Sequence, residues 1–265
     1  MAPKPECALV LLADIEDYSS RLDVVQAKLR DALVEVLREA ADNAHVDWAG
    51  WTHEDRGDAV LIFARKPGPV EILGDFVYQL SLGLNAYAES RNESHAMRLR
   101  LAVHHGYIWQ DSRGWVGSAI NAATRLCDSD AARNALETHP ESKLVVIVGD
   151  ELHRDVIMQG HPSIPAADYR PARAVAKKTD QPAWVWTPPG PASAQRLDPG
   201  SPPGANAPEA PGTDTGAGGE NAAGATGVAP RTSTEIHAER IGNVVTGPLS
   251  VQHNLIGIVE GGMGG

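Results

Sequence analysis

Two acidic residues stand where a strand and a turn could bring them together. Asp14 closes the apolar run in LLADIEDYSS, and Asp58 follows Gly57 in HEDRGDAVLIF. If the first strand lies beside the hairpin, the two carboxylates converge on one pair of divalent cations. Phosphoryl chemistry needs such a pair: one ion activates the attacking oxygen and the other holds the leaving phosphates. Taken singly, Asp14 is more simply a helix cap and Asp58 a turn residue. A second constellation changes that balance. In GWVGSAINAATRLCD, Asn121 and Arg125 are four residues apart and share one face of a helix. An asparagine can orient a ribose, and a guanidinium fork can stabilise charge on a five-coordinate phosphorus. Alone, the pair would read as an ordinary surface arginine and a helix-interior asparagine.

Other reactive residue types carry less. His104 and His105 are neighbours in a strand-like run. They therefore point to opposite faces and do not chelate one ion. Trp48 and Trp51 could stack on a base, but packing is the simpler role. Cys7 and Cys127 are the only cysteines and neither has a CxxC neighbour, so neither a zinc framework nor a disulfide scaffold is indicated. A reducing, cytoplasmic setting follows from that usage. The chain has no GxxxxGK[ST] loop, no GxSxG elbow and no HExxH.

The elements that would position these residues can be read from periodicity. Residues 8–13 are continuously apolar, as a strand covered on both faces would be. Ser19 is placed to cap a helix in which Leu22, Val25, Leu29, Leu33 and Val36 recur at helical spacing. Residues 48–52 and 59–64 read as strands joined by a polar hairpin at 53–58. A second helix is expected over 70–88, a strand over 99–105, and a helix over 117–127. Strands over 144–148 and 183–186 follow. Strand, helix, hairpin, helix, strand is the ferredoxin-like order: α+β, an antiparallel sheet with helices on one face.

Composition bounds the rest. The 265 residues carry a formal net charge of −11, which argues against a nucleic-acid partner because phosphate backbones select basic faces. The N-terminal apolar run is too short for a membrane span. Residues 1–187 hold nearly all the bulky apolar residues and form the expected domain. Residues 188–230 turn to Pro, Gly and Ala, a composition that cannot offset its ordering entropy and reads as a flexible linker. In the last stretch, residues 231–265, short β-branched clusters return.

Together these motifs resemble the catalytic domain of the class III adenylate and guanylate (nucleotidyl) cyclases. ADIEDYS is similar to the family's ADIxGF/Y-S/T strand end, and RGDAVLIF to its Gly-Asp hairpin. Gly117 followed by Asn121 and Arg125 resembles its NxxxR helix. LRLRLAVHHG resembles its R-x-G-I-H-x-G strand, and AVAKKTDQPAWVW its late V-K-G…P-V-x-V-Y segment. The resemblance covers residues 6–187. It implies Asp14 and Asp58 as ligands of two Mg²⁺ or Mn²⁺ ions per site, with the Ile15 carbonyl assisting. It implies Asn121 on the ribose, Arg125 on the transition state and Lys177 on the triphosphate, although Lys178 leaves that register open. The substrate would be a nucleoside triphosphate, cyclised to a 3′,5′-cyclic nucleotide with loss of pyrophosphate. Each site would combine carboxylates from one protomer with Asn and Arg from the other, so a homodimer is implied.

Three positions depart from the family pattern. Asp17 stands where the family has glycine. Glu54, three before Gly57, is the residue type of guanylate rather than adenylate cyclases. A glutamate can accept from the guanine N1 and N2 hydrogens and adenine offers no such pair, so ATP is disfavoured. Gly114, three before Gly117, is neither of the family's usual partners for that position. The resemblance to bacterial pyrimidine cyclases of antiphage systems, which also lack the standard pair, keeps UTP or CTP open beside GTP. Asp17 and Gly114 keep a rival open: a catalytically weak or inactive nucleotide-binding adaptor. The tail, through Asn243, Val244, Gly247, Val251, Gln252 and Asn254, loosely resembles the amyloid-signalling motifs related to the receptor-interacting-kinase homotypic motif. By that resemblance it would recruit an effector protein with a matching motif, in intracellular signalling and antiviral defence. A disordered tail is the plainer alternative.

Overall fold

The computed structural model describes residues 4–176 and 179–188. Lys177, nearly all of the linker and the whole tail segment 231–265 lie outside the described residues.

The first strand, β1 (Glu6–Ile15), is apolar throughout because both of its faces are covered. Leu9, Leu11, Ala13 and Ile15 enter one core, and Ala8, Val10 and Leu12 the other. The helix α1 (Asp23–Asn43) follows, with Val25, Leu29, Leu33, Val36, Leu37, Ala40 and Ala41 buried at helical spacing. Ser19 does not cap it. Asp17 takes a left-handed turn, a 3₁₀ turn spans Tyr18–Ser20, and the helix begins after Leu22, which is 74% exposed. The chain is still reversing at Ser19, so no helical N–H is within its reach.

The expected strand over 48–52 is largely a 3₁₀ turn, Trp48–Gly50. Trp51 turns inward there, packs edge-on against Phe76, and donates its indole N–H to the Lys66 carbonyl at 2.7 Å. The strand proper is β2 (Thr52–Asp55), paired antiparallel with β3 (Ala59–Ala64). Next come α2 (Pro69–Glu71), a π-helical turn over Ile72–Phe76 and α3 (Val77–Glu89), a single helical run matching the expected second helix.

Beyond it, β4 (Leu99–Asp111) is longer than expected and folds back on β5 (Gly114–Val116). The helices α4 (Ser118–Cys127) and α5 (Asp130–Thr138) lead to β6 (Leu144–Gly149) and α6 (Asp150–Asp155). A hairpin of β7 (Arg170–Ala176) and β8 (Thr179–Trp186) ends the described region.

The sheet order is β2-β3-β1-β4-β6-β8-β7, with β5 paired to β4. Its first four strands are antiparallel neighbours in the ferredoxin-like order. Two expectations need correction. The β4–β6 pair is parallel, so the sheet is mixed. Helices also cover both faces: α1 and α3 pack on one, α4 and α5 on the other. The two differences have one cause. A parallel pair needs a long crossover, and α4 with α5 is that crossover, laid across the second face. No helix among the described residues is long and apolar enough to cross a membrane.

Candidate active site

Register brings the two predicted carboxylates together. Asp14 lies in β1 between Ala59 of β3 and Arg100 of β4, on the face that α4 covers. Asp58 is the last residue of the β2–β3 turn, where Gly57 takes φ 89° and donates its N–H to Asp55 Oδ1 at 2.7 Å. The Asp58 carbonyl accepts the Ile15 N–H at 2.9 Å, which locks the turn onto the end of β1. Asp14 is largely buried. That burial pushes its carboxyl above the usual carboxylate range; Arg100 opposes the shift, while the nearby Asp58 and Asp128 charges add to it.

Arg100 is the charged neighbour of Asp14 that the sequence reading passed over. Its Nη2 donates to Asp14 Oδ1, and only 14% and 13% of the two side chains is exposed. Burial works against its charge, but the Asp14 carboxylate outweighs it and holds the guanidinium above its ordinary range. Its Nε is buried without a partner among the described residues. The signal was present: an arginine inside the otherwise apolar run 99–103, on the same face as Asp14. Cys127 lies behind the pair, its Sγ 3.5 Å from the Arg100 carbonyl, and burial pushes its thiol up.

The donor set fits a hard divalent cation. Two carboxylates lie near one strand end, and an ion there would take the place of the Arg100 guanidinium that now pairs with Asp14. No cluster of three or more His, Cys, Asp or Glu side chains occurs among the described residues. Mg²⁺ is usually held by only one or two carboxylates, with water and substrate phosphates completing its shell.

The Asn–Arg pair is placed by close packing. A Cβ on Gly117 would lie 2.6 Å from the Tyr107 carbonyl and 3.1 Å from Ile108 Cα, so only glycine lets α4 start this close to β4. Ala119, Ala123, Leu126 and Cys127 are then buried against the sheet. Asn121 and Arg125 face outward and line a cavity of about 350 Å³ together with Thr124, Asp128, Arg133 and Val175. Neither makes a side-chain hydrogen bond among the described residues. Asp128 lines this cavity and also influences Asp14, so it is the near neighbour of both constellations. Ala176, the last described residue before Lys177, belongs to the same lining.

The structure also brings Glu54 and Gly114 together. The β4–β5 hairpin folds over β3, with Trp115 against Phe63 at 4.9 Å between ring centroids. Gly114 thereby comes beside Glu54: a Cβ at 114 would stand 3.9 Å from Glu54 Oε1. The other oxygen, Oε2, accepts from Arg56 Nη2 at 2.8 Å. Asp17 has φ 53° and ψ 30°, the left-handed conformation a glycine would favour; aspartate is among the few other residues that visit it. The two histidines separate as expected. His104 is half-buried with its imidazole pushed down by burial, and His105 meets Cys7 Sγ at 3.2 Å. Trp48 stacks on His53, with 4.5 Å between ring centroids.

No family model and no curated protein matches the chain. Solved structures do. The chain is similar to an adenylate/guanylate cyclase/hydrolase from Silicibacter pomeroyi, with a TM-score of 0.51 and 18% identity over 71% of this chain and 99% of that one. A bacterial light-regulated adenylyl cyclase aligns with a TM-score of 0.49 and 12% identity over 69% of this chain. This chain spans about half of that protein, 52%. The guanylate cyclase domain of RhGC from Catenaria anguillulae, in complex with GTP, aligns with a TM-score of 0.43 and 16% identity over 69% of this chain and 98% of that domain. The likeness is one of fold: a mixed α+β sheet with helices packed on it, as in the Silicibacter cyclase.

Proposed function

We propose that this chain is a nucleotidyl cyclase that acts as a homodimer on GTP or a pyrimidine triphosphate. The observation that carries the reading is the meeting of Asp14 and Asp58 at the end of β1, on a chain whose α4 turns Asn121 and Arg125 outward. In the reaction the ribose 3′-oxygen bonds to the α-phosphorus, the α–β phosphoanhydride bond breaks, and pyrophosphate leaves. The hydroxyl proton passes to water. Two Mg²⁺ or Mn²⁺ ions bound by Asp14, Asp58 and the Ile15 carbonyl would neutralise the triphosphate and favour the ionised hydroxyl. Asn121 of one protomer orients the ribose lying over the other protomer's carboxylates. Arg125 donates to the equatorial oxygens of the α-phosphorus, where negative charge accumulates as the new bond forms. Lys177 holds the outer phosphates. Glu54 reads the base, and Gly114 leaves that side of the base free of a side chain. In the cell the protein would work in cytoplasmic signalling, and its 231–265 segment would recruit an effector protein through a matching motif.

A second reading, a nucleotide-binding adaptor without turnover, is favoured by the Asp14–Arg100 pair, which occupies one of the two carboxylates. Incubation of the purified protein with each of the four triphosphates and Mn²⁺, followed by mass spectrometry, separates the two. A 3′,5′-cyclic product from GTP, UTP or CTP is expected. Binding that returns only intact triphosphate would replace the cyclase by the adaptor.

A further inference from the structure

Glu54 is not a free carboxylate. Its Oε2 is held by the Arg56 guanidinium at 2.8 Å, while Oε1 faces the place where Gly114 has no side chain. The pairing follows from local geometry, because residues two apart on an extended chain share a face. Glu54 ends on that face within β2, and Arg56 opens the turn that presents Asp58. The side chains keep 30% and 50% exposure, and an ion pair so open adds little to stability. What the pair does provide is an acceptor beside a donor, next to a position stripped of competing groups.

Resting on the cyclase reading above, we propose that Arg56 is a second base-reading residue, and that Glu54 with Arg56 recognises a lactam edge. In such an edge a ring N–H adjoins a carbonyl. Guanine has it at N1–H and O6, uracil at N3–H and O4. The Glu54 carboxylate accepts from the ring N–H, and Arg56 donates to the carbonyl through an N–H that Glu54 does not use. Adenine and cytosine present the opposite pattern, an amino group beside an unprotonated ring nitrogen. In the same pose Arg56 would face amino hydrogens, and the carboxylate would face a lone pair. A base tethered through its ribose cannot slide one position along its edge to exchange the contacts. Polar sites of this kind discriminate strongly, because the wrong partner leaves their charges unpaired. Guanine and uracil differ at the third position. There guanine offers its N2 amino group to Oε1, and uracil offers a carbonyl.

The test uses the full chain and the four 3′-deoxynucleoside triphosphates, which bind but have no 3′-hydroxyl with which to cyclise. Affinities are measured by calorimetry for wild type, Arg56→Met and Glu54→Gln, with circular dichroism to verify folding. Wild type should bind the guanine or the uracil analogue at least tenfold more tightly than the adenine and cytosine analogues; the two lactam arms show which base is read. Arg56→Met should weaken lactam binding by about tenfold to a hundredfold, the usual effect of losing a hydrogen bond to a charged group. It should not weaken the adenine and cytosine analogues, whose amino groups Arg56 opposes. Equal weakening of all four analogues by Arg56→Met, or wild-type preference for adenine or cytosine, would overturn the assignment. The two levels fail separately. Arg56-dependent selection without any cyclic product from natural triphosphates would sink the cyclase reading alone. Turnover with no Arg56-dependent selection would sink this inference alone, and no binding of any analogue would sink both.

Discussion

Replacing Arg100 by methionine removes the cation paired with Asp14 and leaves the carboxylate among Asp58 and Asp128. Breaking a buried ion pair from one side typically costs 3–5 kcal/mol. Because the two side chains keep 14% and 13% of their surface, the lower end applies, about 3 kcal/mol. In a domain of this size that lowers the thermal midpoint by about 6–12 °C. The pH dependence has a definite sign. Asp14 has a folded pKa raised above its unfolded value, so its contribution to stability is present below the unfolded pKa and is lost as pH rises through the folded one. Arg100 opposes that rise, so its removal widens the shift. The deficit of Arg100→Met should therefore be greatest near neutrality and shrink as acid protonates Asp14. Adding Asp14→Asn to Arg100→Met should recover most of the loss. Mn²⁺ should raise the midpoint of the single variant more than that of wild type, because the ion replaces the missing positive charge. Thermal unfolding followed by circular dichroism at neutral and mildly acid pH, with and without Mn²⁺, measures all of this. An Arg100→Met midpoint that matches wild type at neutral pH, or a loss the double variant does not recover, would refute the reasoning.

Three further outcomes are expected. Asp58→Ala and Arg125→Ala should each lower turnover by about 10²–10³, the usual loss for one preorganised group. If the site is shared between protomers, re-equilibrated mixtures of the two should regain about a quarter of wild-type activity, since half the dimers are mixed and each has one intact site. Activity that stays at the single-variant floor despite demonstrated subunit exchange would place the whole site on one chain. Asp17→Gly should stabilise the fold by about 0.5–1 kcal/mol, because it relieves a side chain at φ 53°; a lower unfolding midpoint would contradict this. Gly117→Ala should cost about 1–3 kcal/mol, since its Cβ meets backbone atoms that cannot rotate away. It should also lower turnover by displacing Asn121 and Arg125, and a fully active Gly117→Ala would show that α4 has room to spare.

The sequence alone determined what depends on pattern within one element. The unbroken apolar run before Asp14 required a strand buried on both sides, and β1 is one. The spacing of Val25, Leu29, Leu33 and Val36 required a helix, and β3 begins and ends at the residues expected. Asn121 and Arg125 had to share a helix face because they are four apart. The strand β7 escaped notice because only alanines alternate inward and Pro171 interrupts it. The start of α1 was misplaced because a left-handed residue at Asp17 leaves no periodic trace.

What tertiary structure decided was every relation across the sheet. The register of β1 with β4 set Arg100 against Asp14, and the folding-over of β5 set Gly114 against Glu54. The crossover through α4 and α5 made one strand pair parallel and covered the second face. Side-chain spacing along a strand repeats every two residues whichever neighbour it takes, so no local pattern records which residue lies opposite. That choice is made by burying apolar surface on both faces at once, and it is this choice that assembled the charged residues of the site.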